Sequence, residues 1–123
     1  MFDWKDYLLL AKEIHSSGKS QFREAEDRMI VSRAYYAAFC WARNYACVYQ
    51  HFVSYSNGAD HRRLIDHFKT RNPYRVAPNL EKLLGWRTQC DYQDVVKELP
   101  FIIDDALSIS QLIIDDLRVK SGS

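Results

Sequence analysis

In the stretch WRTQCDYQD, Arg87 is followed four residues later by Asp91 and then by Tyr92, which sets a guanidinium, a carboxylate and a phenol close together. Arg87 also extends the stripe Leu80, Leu83 and Leu84, so it stands where a leucine is expected and is partly withdrawn from water. A guanidinium in that position needs an anionic or hydrogen-bonding partner. Two readings are open. Asp91 shares its helical face and can close an intrahelical ion pair. Alternatively, the planar fork faces a phosphate, whose geometry it matches, and stabilises charge developing on a cleaved phosphodiester. Tyr92 lies about 140° from Arg87 around a regular helix. The two are therefore expected to meet on one ligand only if the helix ends between them or a second subunit supplies one of them.

Other chemistries find less support. His15, His51, His61 and His67 include no HExxH, and a regular helix turns His61 and His67 about 120° apart, so no metal site is expected. There is no glycine-rich phosphate loop and no GxSxG, which argues against a small-molecule enzyme of a standard class; no cofactor is expected. Arg33, Tyr36, Cys40, Asn44 and Cys47 line one side of a long helical segment. Arg33 and Asn44 are polar intrusions there, expected to reach Asp91, Tyr92 or a neighbouring subunit, and with Tyr36 they are candidates for supporting the Arg87 site. Tyr35, Tyr36, Phe39 and Trp41 read first as core aromatics, and only second as platforms for stacked bases.

The net charge of +1 conceals an asymmetry. HRRLIDHFKTRNPYR, residues 61 to 75, carries five Arg or Lys against Asp66, whereas residues 91 to 116 carry seven acids against Lys97. A basic segment of this kind suits a polyanion, and His61, Arg62, Arg63, Lys69, Arg71 and Arg75 are its candidate RNA-binding residues. Solvated faces produce the same imbalance.

Five helical segments position these residues. The first runs from an Asp3 cap to Gly18 and the second from about Ser20 to His51; AYYAAFCWA in its middle is apolar all round and has to be covered by neighbours. After the turn dipeptide Asn57-Gly58, Asp60 is expected to cap a third helix ending near Lys69. Asn72-Pro73 and Pro78 bracket a basic loop. A fourth helix starts near Pro78, and a fifth, opened by Pro100, buries Ile102, Ala106, Ile109, Ile113 and Leu117 and turns Asp104, Asp105, Asp115 and Asp116 toward solvent. The expected fold is an all-α antiparallel bundle of four to five helices, one domain over residues 1–120 with a disordered tail at 121–123. Cys40, Cys47 and Cys90 are odd in number, lack a CxxC pair and are expected to be reduced packing residues. With no apolar run of roughly 20 residues and no signal-peptide pattern, the chain is expected to be cytoplasmic, with no membrane association.

SRAYYAAFCWARN (Ser32 to Asn44), HRRLIDHF (His61 to Phe68) and RTQCDY (Arg87 to Tyr92), in that order over residues 3 to 118, resemble the small stand-alone members of the HEPN superfamily of prokaryotic helical domains. The resemblance implies a bundle that dimerises. Many members are metal-independent endoribonucleases, often toxins paired with a nucleotidyltransferase-like antitoxin or components of antiviral defence. Their catalytic motif is an Arg, four to six intervening residues and a His, contributed by both subunits of a dimer. Arg87 matches the Arg, but the positions where the His would fall hold Tyr92, Gln93 and Asp94. A phenol with a reference pKa of about 10 is a poor base at neutral pH, where imidazole is well matched. The expectation is thus an RNA- or nucleotide-binding HEPN-like module with the family's histidine replaced, in a toxin-antitoxin or defence system. The alternative is a metal-independent endoribonuclease toxin with a composite dimer-interface site at Arg87, Asp91 and Tyr92.

Overall fold

The computed structural model describes residues 1–17 and 20–118; Gly18 and the tail at 121–123 lie outside the described residues. It holds five helices, α1 (Lys5–Ser17), α2 (Arg23–Tyr49), α3 (Ala59–Lys69), α4 (Val76–Tyr92) and α5 (Leu99–Asp116), and no strand among the described residues. This is the all-α bundle expected from the periodicity. Lacking proline and glycine, α2 runs unbroken, and α1, α4 and α5 pack around it. Ala34, Ala37, Ala38, Ala42 and Ala46 are fully buried, and their small side chains allow the neighbouring backbones to come close.

Directions within the bundle follow from paired contacts. Arg33 reaches Tyr7 while Arg43 reaches Trp4, so α1 runs antiparallel to α2. Arg28 reaches Cys90 while Tyr36 meets Arg87, so α4 is antiparallel as well. In contrast, Ser110 bonds to Ala34 and Trp41 to Leu117 at the same offset of 76 residues, which makes α5 run parallel to α2.

Polar side chains of α2 complete the ends of its neighbours. Arg28 Nη1 donates to the carbonyls of Cys90 (3.1 Å) and Gln93 (2.6 Å), and its Nη2 to that of Asp94 (3.0 Å). These carbonyls lie at and just beyond the C-terminus of α4, where backbone acceptors lack intrahelical donors and a cation is favoured. The indole of Trp41 donates to Leu117 O at 2.7 Å, giving the same service at the end of α5. Fully buried Ser110 is satisfied by Ala34 O at 2.7 Å.

Several local expectations are refined. Asp3 Oδ1 accepts from the Lys5 amide (3.1 Å), as a cap should. Asp60 does not cap α3; Asn57 accepts from the Ala59 amide (3.0 Å) at that end. Asp60 is buried inside the first turn, where it accepts from the Ser54 hydroxyl (2.6 Å), the amides of Tyr55 and Ser56 (both 3.1 Å) and Arg63 (2.8 Å). It thereby holds Ser56, a non-glycine residue at φ 55°. Because α4 begins at Val76, Pro78 lies in its first turn rather than before it. The acidic side of α5 is not simply solvated. Arg75 grips Asp116 through two bonds (2.7 and 2.6 Å), and His15 pairs with Asp104 at 3.2 Å.

Cys40 and Cys90 are buried packing residues, and burial pushes the Cys90 thiol up to about 11. Cys47 departs from that expectation: it is exposed. Among the described residues, no helix is long and apolar enough to cross a membrane.

Arg28→Ala leaves these carbonyls without their charged donor and should cost about 2 kcal/mol in denaturant unfolding. Amide exchange should quicken first at the C-terminal turn of α4 and the segment after it.

Candidate functional site

On α4, buried Leu80 and Leu83 fix the stripe that Arg87 continues, so its side chain starts from the packed face and retains 16% exposure. Its Nε lies 2.8 Å from Asp91 Oδ2, and the Asp91 side chain is 28% exposed. The intrahelical ion pair read from the sequence is therefore formed. The buried Nε–H is poorly aligned with the carboxylate and makes no hydrogen bond, so the contact acts as a charge pair. The guanidinium carbon also lies 5.2 Å from the centre of the Tyr36 ring and 5.6 Å from that of Tyr92. Arg87 and Tyr92 meet without any break in α4, because the long arginine arm spans the angle that separates their Cα atoms. Burial works against the charged guanidinium, but Tyr36, Asp91 and Tyr92 offset it and its pKa is raised. The two rings present their faces to the guanidinium, and Asp91 is its counter-ion.

His61, at the start of α3, joins this cluster. Its ring stacks on Phe39 at 4.4 Å and stands perpendicular to Tyr36 at 6.2 Å. Its Nδ1 is hydrogen-bonded to the hydroxyl of Tyr35, a residue only 1% exposed. Burial lowers the His61 pKa, the charge of Arg87 lowers it further, and Asp60 partly opposes both. His61 was singled out in the sequence only as part of the basic segment. No spacing rule could join it to Arg87, because what links the two is the Tyr36 ring of α2, which each approaches from a different helix.

The remaining cations of that segment are engaged within the chain. Arg62 pairs with Glu81 (3.2 Å), Lys69 with Asp66 (3.1 Å) and Arg75 with Asp116 (2.6 Å). Arg71 donates to His67 O at 2.9 Å, near the end of α3. Arg63 lies over the Tyr55 ring at 3.8 Å and donates to Val53 O (2.9 Å) as well as to Asp60, so it clamps the loop before α3. The exposed pairs contribute little to stability and can exchange partners; the Arg63 clamp is structural.

Arg33 and Asn44 are not brought to Arg87. Arg33 lies over the Tyr7 ring of α1 at 5.1 Å. Asn44 Oδ1 accepts from Arg43 (3.1 and 3.2 Å) and, with Trp4, Trp41, Tyr45 and Tyr49, lines a separate apolar concavity of about 300 Å³. Tyr36 alone of the three expected supporting residues contacts Arg87. Among the described residues, no group of three or more His, Cys, Asp or Glu could hold a metal ion.

Replacing Arg87 by Gln should raise the His61 pKa measured by NMR, since it removes the cation that disfavours the imidazolium. Asp60, held down to about 2 first by the Ser54 hydroxyl and then by its other donors despite burial, sets a separate acid limit. Its folded pKa is depressed, so its contribution is present above the ordinary carboxylate value of about 4 and is lost as pH falls through about 2. Asp60→Asn should weaken the fold at neutral pH by about 2 kcal/mol and flatten acid unfolding in that window.

No protein-family model, curated protein or solved structure matches the chain.

Proposed function

We propose that the chain is a HEPN-like module that binds RNA or a nucleotide through a phosphate at Arg87. In this reading it acts as a homodimer in a prokaryotic toxin-antitoxin or defence system, beside a nucleotidyltransferase-like partner. One observation carries it. The guanidinium is fixed by Asp91 on one side and by the Tyr36 and Tyr92 rings, yet its two terminal nitrogens make no hydrogen bond among the described residues. A pre-positioned fork with unused donors matches the oxygens of a phosphate. The paired surface cations Arg62 and Lys69 would add a weaker, salt-sensitive attraction by changing partners.

A second reading, metal-independent endoribonuclease, is favoured by His61, an imidazole from a different helix that approaches the same Tyr36 ring as Arg87. Cleavage would need that imidazole to move a proton while Arg87 stabilises the charged phosphorus centre.

In EDTA, the wild-type chain should bind single-stranded RNA by fluorescence anisotropy, and Arg87→Ala should weaken binding by about tenfold or more. Arg62→Glu should reduce the salt slope with a smaller loss of affinity. Absence of binding by the wild type, or binding indifferent to Arg87→Ala, would overturn the phosphate reading. RNA cleavage in EDTA that disappears with Arg87→Ala would select the second reading, and a monomer in light scattering at tens of micromolar would remove the dimer.

A further inference from the structure

We infer that His61 and Arg87 form one oxyanion-binding pair in which neutral His61 donates through Nε2–H, its tautomer being set by the buried hydroxyl of Tyr35. The inference rests on the phosphate reading of Arg87 and deepens it by naming a second ligand and its protonation state.

The tautomer follows from hydrogen-bond accounting. Tyr35 is 1% exposed, and among the described residues its hydroxyl has one partner, His61 Nδ1. A buried hydroxyl whose hydrogen points at nothing is costly, so Tyr35 donates and Nδ1 accepts. In a neutral imidazole the proton then resides on Nε2. Burial pushes the Tyr35 phenol well above its usual range, which keeps that proton on the tyrosine oxygen. His61 Nε2 makes no hydrogen bond among the described residues, and His61 is only half-buried. The site therefore presents two kinds of unused donor, the Arg87 terminal nitrogens and the His61 Nε2–H, around the Tyr36 ring.

Chemically, that tautomer suits binding. With Nε2 protonated, neutral His61 has no lone pair there to take the proton of a ribose 2′-hydroxyl. It can give a hydrogen bond to a phosphate oxygen. The titratable and charged groups that act on it are Tyr35 and Tyr36 from α2, Arg87 from α4 and Asp60 from its own helix, while Arg62 acts on Tyr35. A second proton would have to sit on Nδ1 and would leave the buried Tyr35 hydroxyl without an acceptor, so the neutral ring remains the donor and binding should change little as pH falls from about 7.5 to about 5.5.

The first test needs no ligand. Nitrogen-15 NMR of the imidazole should report the Nε2–H tautomer in the wild-type chain and a shift toward a mixed population in Tyr35→Phe. An Nδ1–H tautomer in the wild type would overturn the inference. The second uses inorganic phosphate and a single-stranded oligouridylate as probes, in EDTA. His61→Ala should lose about tenfold in affinity for the oligonucleotide. His61→Gln, whose amide N–H replaces the Nε2–H donor, should stay within about threefold of wild type at both ends of that pH range. Inorganic phosphate should compete at the same site and move the His61 and Arg87 side-chain signals. Loss with Arg87→Ala but wild-type affinity in His61→Ala would sink the pair while leaving the phosphate reading intact. Indifference to both substitutions would sink both. A wild-type circular dichroism spectrum for His61→Ala and His61→Gln separates loss of the donor from loss of the fold, since the ring they replace packs on Phe39.

Discussion

A helix that is apolar on every side has to be enclosed, and the rest of this bundle is arranged to enclose α2. Its run of buried alanines brings three neighbours within close range, and the same closeness lets its few polar side chains reach their backbones. Arg28 and Trp41 supply donors to terminal carbonyls of α4 and α5, while Ala34 O receives the one hydroxyl that α5 buries against it. Arg87 owes its location to this arrangement. Its segment is pinned by Arg28 at one end, and the guanidinium lies over Tyr36, which packs against the core, while Asp91 pairs with it from the same helix.

The charge asymmetry that stands out along the chain is largely internal bookkeeping. Basic residues from 62 to 75 find acids or carbonyls on α3, α4 and α5, and the link from Arg75 to Asp116 joins the basic segment to the acidic one. Linear charge blocks that face each other across a fold act first as cross-links.

Periodicity made the five helices legible, because each buries a stripe whose spacing is a property of the local chain. Helix ends were less so. Asp60 has the residue type of a cap but turns inward to organise the loop that precedes it, a choice made by the buried donors it meets, while the neighbouring Asn57 takes over the end of α3. At the site, the Arg87 to Asp91 pair followed from a four-residue step. His61 did not, since its neighbours Tyr35, Phe39 and Arg87 belong to two other helices. Arg33 and Asn44 share a side of α2 with Tyr36 on a helical wheel, yet a helix of 27 residues is long enough for one side to meet different partners along its length. Asn57, Asp60 and His61 thus perform separate tasks within five residues, one ending a turn, one bracing a loop and one packing against the aromatic rings of α2.

The uneven exposure of the three cysteines gives the native chain one addressable sulfur. Cys40 and Cys90 are enclosed and burial raises their thiols, so alkylating reagents meet them only on unfolding, whereas Cys47 stands at the surface of α2 a few residues before its end. A maleimide dye or spin label would therefore settle on a single rigid helical position without any engineered mutation, and the distance between two such labels would measure how copies of this chain are spaced.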